Sequence, residues 1–173
     1  ALRKADLDAI VCSLPSHVLL LTGYGTAVGT TVAVFTSDGR ARLLVPADEA
    51  QAARAMSSVS QTSFPVNSLD AILTAEKGIV GPLCEVLREL GLENARIGIE
   101  TTGSLETAAG LALHLYGGVL RYTLQTACMH IATMPADALL QQMMSTKTPH
   151  ELGKMRISCR VAEQAFMAAT PQL

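Results

Sequence analysis

The apolar positions fall into short runs set apart by turn residues, and the spacing inside each run changes along the chain. Residues 8–14 (Asp-Ala-Ile-Val-Cys-Ser-Leu) form an apolar stretch stopped by Pro15, the signature of a short buried strand. Residues 16–21 predict a helical turn or two running into Gly23-Tyr24-Gly25. Two β-rich runs follow, 30–36 and 40–46, separated by Ser37-Asp38-Gly39. Asp-Gly is a strong hairpin signal because glycine takes φ > 0 at little cost, so these two strands are expected to be antiparallel neighbours.

Further on the pattern alternates between helix and strand. The Ala-rich stretch 47–56 reads as a helix and 61–66 as a short strand. Pro82, after Gly81, suits the first position of a helix whose Leu83, Val86, Leu87 and Leu90 make one stripe, with Gly91 as its left-handed cap. Residues 96–100 predict another short strand. Ser104 is placed to cap a helix through 116, Gly117-Gly118 to stop it, and 119–124 to form the last strand. The sum is an α/β protein with a mixed β-sheet flanked by helices.

The end of the chain is the most regular part. Thr148-Pro149-His150-Glu151 combines a capping residue, a proline start and a glutamate at the third position, which is a capping box. Apolar residues then recur at Leu152, Met155, Cys159, Ala162 and Phe166, at spacings of three, four, three and four. This is an amphipathic helix whose stripe needs a partner surface. A division at 147/148 follows, with a domain over 1–147 and a linker helix over 148–173.

Composition narrows the possible functions. At 173 residues the chain fits a single domain with an ample core. It is 49% hydrophobic and 16% charged, with a formal net charge of −2. That leaves no basic excess for nucleic acid, and with 3% aromatics and no Trp there is no stacking platform. No stretch approaches the length of a membrane span, and residues 2–6 turn polar before a signal-peptide core could form. Cys12, Cys84, Cys128 and Cys159 are scattered without a C-x-x-C pair, which predicts reduced thiols in a cytoplasmic protein.

No motif completes a catalytic centre. G-x-S-x-G and H-E-x-x-H are both missing. Cys128 and His130 would share a strand face, but two ligands make no site. Gly23, Gly25 and Gly29 imitate a phosphate loop, yet they precede a strand and not a helix. Asp8 and Glu100 are read as solvated strand ends, Met143 and Met144 as core or interface residues, and Cys159 as a packing residue. The chain is therefore expected to hold no metal and no catalytic residue of its own.

Three segments, in order, resemble the N-terminal domain of the creatinase/prolidase (Xaa-Pro peptidase) family. They are the first strand with the LLLTGY turn at 19–24, the Asp38-Gly39 hairpin ending in Leu44-Val45-Pro46 before an acidic residue and an Ala-rich helix, and Lys147-Thr148-Pro149-His150-Glu151 opening the last helix. The resemblance implies a ribonuclease-H-like α/β fold ending in a long linker helix. It also implies a C-terminal pita-bread catalytic domain outside this chain, with a divalent metal pair (Mn, Co or Zn) held by two Asp, one His and two Glu.

On this resemblance the chain is the non-catalytic part of a dimeric Xaa-Pro dipeptidase or aminopeptidase, inactive alone. Its partners would be a second copy and its own catalytic domain, with neither nucleic acid nor membrane. Leu152, Met155, Cys159 and Phe166 would form the interdomain helix face. The loop at 24–30 would reach the partner subunit's pocket, giving Tyr24, Thr26, Gly29 and Thr30 as substrate-mouth residues. Some members place Arg or His in that loop; here there is none, so a carboxylate clamp from it is not expected. Tyr24 reads equally as a partly buried aromatic with its hydroxyl at the surface. Two alternatives remain open: a peptide- or protein-binding module of the same fold, and a creatinase-like amidinohydrolase domain. Substrate identity is not encoded in this half.

Overall fold

The computed structural model describes residues 1–26, 30–57, 59–65, 74–101 and 115–170. The six strands among these residues are β1 (Ala9–Cys12), β2 (Val32–Thr36), β3 (Ala41–Pro46), β4 (Ser60–Phe64), β5 (Arg96–Ile99) and β6 (Ala132–Pro135). They form one mixed sheet in the order β4-β3-β2-β1-β5-β6. β1, β2 and β3 are joined antiparallel, whereas β3–β4, β1–β5 and β5–β6 are parallel pairs. The helices among the described residues are α1 (Pro15–Thr22), α2 (Ala50–Met56), α3 (Ala75–Glu89), α4 (Gly117–Ala127), α5 (Asp137–Ser145) and α6 (Pro149–Ala169).

The period-2 geometry of a strand sorts the apolar residues onto two faces. Ala9, Val11, Val32, Val34, Leu44, Ile97 and Ile99 join the cluster built with α3 and α4, through Leu83, Leu87, Leu120 and Leu124. The intervening Ile10, Cys12, Ala33, Leu43 and Val45 face the other way, towards Leu140 or towards Val18, Tyr24 and Ala53. Because both faces of the central strands are covered, they read as continuous apolar runs. At Gly98 the second layer comes so close that a Cβ would stand 2.9 Å from Ala136 Cβ.

The hairpin forms as its turn residues require: Thr36 N–H donates to the Arg40 carbonyl, and Gly39 takes φ 92°. The helix of 47–56 begins with a 3-10 turn over Ala47–Glu49. Gly91 stands just past α3 at φ 70°.

Three expectations need correction. Pro82 lies inside α3, which starts seven residues earlier at a cap where Thr74 accepts the Lys77 N–H. A proline in a helix interior costs about 3 kcal/mol. Here Ile79 and Leu83, both fully buried, lie on either side of it and hold the helix through it, and Pro82 has no N–H to give the Gly78 carbonyl four residues back. Secondly, 119–124 is not a strand but the body of α4. Leu120, Thr123, Leu124 and Ala127 are its buried residues, a helical spacing of three, one and three that outweighs the β preference of Val119, Tyr122 and Thr123. Gly117 therefore opens a helix and does not end one, while 104–114 of the predicted preceding helix lies outside the described residues. Thirdly, the last strand is β6, on the sheet edge beside β5. It ends on Pro135, as edge strands tolerate.

The chain divides into two compact units, Ala1–Leu140 and Gln141–Leu173. The second contains α6. Thr148 accepts from Glu151 N–H while the Glu151 carboxylate accepts from Thr148 N–H at 2.7 Å, so the capping box is complete. The Thr148 N–H, and after it the Thr148 hydroxyl, hold the Glu151 carboxyl below its usual range.

Candidate functional site

The β1-to-α1 connection creates a local problem. Its N-cap is Leu14, which offers no side-chain acceptor to the helix's free N–H groups. Glu100 solves it from another strand. Val11 pairs with Ile99 in the parallel β1–β5 ladder, so the next residues, Cys12 and Glu100, come level at the head of α1. Glu100 Oε1 accepts from Leu14 N–H at 2.7 Å and from Ser13 N–H. The helix dipole favours a carboxylate there.

Glu100 Oε2 faces His17 Nδ1 at 2.6 Å, an N–H donating to the carboxylate. The Cys12 thiol lies close by, its sulfur within 4.8 Å of the Glu100 and His17 ligand atoms. Cys12 and Glu100 are 0% exposed and His17 5%, so Glu100 is not the solvated strand end the sequence suggested; Asp8, its counterpart in that reading, is exposed. Burying a carboxylate is costly unless it is hydrogen-bonded, and this one is, on both oxygens. Around it, Gly117 N–H donates to the Glu100 carbonyl at 2.9 Å, and Leu115 N–H donates to Ser13 Oγ at 3.2 Å.

The order of these groups limits their chemistry. A nucleophile is activated when a base touches it and a third group orients the base. Here the carboxylate is central, with the thiol on one side and the imidazole on the other. Burial, followed by the Glu100 charge and hydrogen bond, pushes the Cys12 thiol well above its ordinary value. Cys12 is thus a protonated thiol and not a nucleophile. Cys12, His17 and Glu100 are nevertheless the one grouping of three or more His, Cys, Asp or Glu ligand atoms among the described residues, all within 4.8 Å of one another. It does not match the two Asp, one His and two Glu that the resemblance implies for a dinuclear centre.

The mouth-loop residues are placed differently from one another. Tyr24 is 0% exposed, and its hydroxyl is not at the surface: it donates to Glu49 Oε2 at 2.5 Å. Burial first, and that hydrogen bond next, raise the phenol far above its ordinary value. Tyr24 N–H donates to Thr22 Oγ1, whose hydroxyl donates to the Val18 carbonyl, so the residue is fastened to the end of α1. Thr26 Oγ1 is buried with no hydrogen-bond partner among the described residues. Thr30 is buried, and Gly29 lies outside the described residues. In the second unit, Leu152, Met155 and Phe166 are 41%, 50% and 72% exposed and Cys159 is exposed too; α6 has no buried residue. Cys128 donates its thiol hydrogen to the Glu93 carbonyl and sits with His130 at the turn before β6. All four cysteines are free. No described helix is long and apolar enough to cross a membrane.

This is an α/β domain with a mixed six-stranded sheet and a tightly satisfied buried carboxylate. The sequence profile of the Creatinase/Prolidase N-terminal domain matches residues 1–122, and the chain belongs to that family. Among solved structures it is similar to the prolidase from Pyrococcus furiosus, at 18% identity and TM-score 0.62 over 97% of this chain and 43% of that one. It is also similar to the X-Pro aminopeptidase from Thermotoga maritima, at 13% identity and TM-score 0.68 over 96% and 41%. The N-terminal domain of the cytoplasmic peptidase PepQ from Mycobacterium tuberculosis is similar at 16% identity and TM-score 0.52, over 82% and 91%. The chain thus spans less than half the length of the prolidase and the aminopeptidase. Among curated proteins nothing matches by sequence.

Proposed function

We propose that this chain is the non-catalytic N-terminal domain of a cytoplasmic, dimeric Xaa-Pro dipeptidase or aminopeptidase. The observation that carries the reading is the family match over 1–122. In this account the catalytic metal pair, Mn, Co or Zn, is held in a C-terminal domain, and the α6 stripe of Leu152, Met155, Cys159 and Phe166 is covered by that domain. The stretch 24–30 rims the active site of a second copy. Tyr24 is its buried anchor, and Thr26, Gly29 and Thr30 form the part nearest substrate.

Extending the coding sequence beyond residue 173 tests this. The expected extension carries two Asp, one His and two Glu as a ligand set, and the extended protein hydrolyses Ala-Pro or Gly-Pro with added Mn²⁺. An extension without those ligands and without hydrolysis assigns the chain to a binding protein instead.

A further inference from the structure

Cys12, His17 and Glu100 come from β1, α1 and the end of β5, and the fold brings a thiol, an imidazole and a carboxylate within 4.8 Å of one another. We propose that these three residues form a site for one borderline-soft divalent cation, of which Zn²⁺ is the best fit. The three ligands would pin α1 to the β1–β5 pair, with water in the fourth position of the metal. The inference is independent of the catalytic metal pair proposed above, and it departs from the expectation that this chain holds no metal.

Three features point to this cation class. One sulfur, one nitrogen and one oxygen donor make the mixed set that zinc accepts, whereas calcium and magnesium take oxygen almost alone. The charges also balance. A dication held by the Cys12 thiolate, neutral His17 and the Glu100 carboxylate is neutral overall, which suits a site where two of the ligands are fully buried. Finally, Glu100 Oε1 is already committed to Ser13 and Leu14 N–H, so Oε2 is presented as a single, oriented donor. Its outer partners are the kind that fix a metal-bound carboxylate.

The geometry needs small changes. Zinc–ligand bonds of about 2.0–2.3 Å place tetrahedral ligand atoms roughly 3.3–3.8 Å apart. The His17–Glu100 separation of 2.6 Å must widen and the widest separation, 4.8 Å at most, must close, each by about 1 Å. On binding, the Cys12 S–H bond breaks, an S–metal bond forms and the proton leaves to solvent. The Nδ1 proton of His17 is exchanged for one on Nε2, so that Nδ1 donates its lone pair to the metal.

The test uses the untagged 173-residue chain with Cys84, Cys128 and Cys159 changed to Ser, which leaves Cys12 as its one thiol. Because the ligands are buried, Zn²⁺ or Co²⁺ is offered both to the folded chain and during refolding from urea. The expected result is roughly one bound metal per chain, a Co²⁺–thiolate charge-transfer band, and a Tm raised by about 5–10 °C at hundredfold excess over Kd. Cys12→Ser is expected to abolish the band. His17→Gln, which keeps an N–H donor for Glu100 and so guards against a mere folding defect, is expected to weaken binding by about 100-fold or more. No stoichiometric binding by either route overturns the proposal. So does a charge-transfer band that survives Cys12→Ser, or an affinity unchanged in His17→Gln.

Discussion

Glu100 holds His17 Nδ1 at 2.6 Å with one carboxylate oxygen while its other oxygen closes the head of α1 through Leu14 N–H at 2.7 Å. One side chain thereby ties β5 to the β1–α1 connection. Replacing it with Gln keeps the shape but puts an amide N–H₂ where an acceptor is needed. Glu100→Gln is expected to lower stability by about 3 kcal/mol, measured by urea unfolding at neutral pH. A loss below about 0.5 kcal/mol, the range of an ordinary surface substitution, would contradict this role.

Tyr24 gives a pH-dependent prediction. Its folded phenol is raised above the unfolded value of about 10, so the folded state keeps a proton that the unfolded state has lost. Its contribution is fully present below about pH 10 and falls as pH rises towards the folded value. Tyr24→Phe is expected to cost about 1 kcal/mol at pH 7. The stability gap between the two proteins should then shrink between about pH 10 and 11. A gap that is constant or grows with pH would contradict the raised phenol.

Gly98 reports on the second layer. A Cβ there meets Ala136 Cβ and Leu7 Cδ1 at 2.9 Å and Ile10 Cγ1 at 3.3 Å. The Leu7 tip can turn away, but the Ala136 methyl moves only with its backbone. Gly98→Val is therefore expected to destabilise by about 1–3 kcal/mol, a Tm drop of roughly 2–12 °C by scanning calorimetry. An unchanged Tm would mean that the layer packs less tightly than described.

Much of this fold is legible from the chain alone, and the failures have local causes. β1 and the hairpin are announced by residues within a few positions of one another. So is the capping box, where Thr148 and Glu151 recognise each other three residues apart. The stretch 119–124 misleads because β-branched and aromatic residues dominate it. The helical spacing of Leu120, Thr123, Leu124 and Ala127 was there to be read. β6 carries no apolar alternation, since an edge strand with exposed positions needs none. The Glu100 cluster was not legible, because its hydrogen bonds join residues 83 and 86 positions apart. Only the β1–β5 register brings them level.

The α6 stripe offers a test of association. Phe166 is 72% exposed, so Phe166→Asp is expected to change the stability of the chain by no more than about 0.5 kcal/mol. It should abolish any self-association through this face in light scattering. Loss of folding would instead make Phe166 a core residue.

The most direct measurement is an assay of Xaa-Pro hydrolysis by the purified 173-residue chain, with Mn²⁺, Co²⁺ or Zn²⁺ added in turn and Ala-Pro or Gly-Pro as substrate. An accessory domain whose reaction centre lies elsewhere gives no turnover above the metal-only blank, even where Zn²⁺ is bound at Cys12, His17 and Glu100. Metal-dependent turnover that co-purifies with the chain and is lost with a chelator would contradict the account.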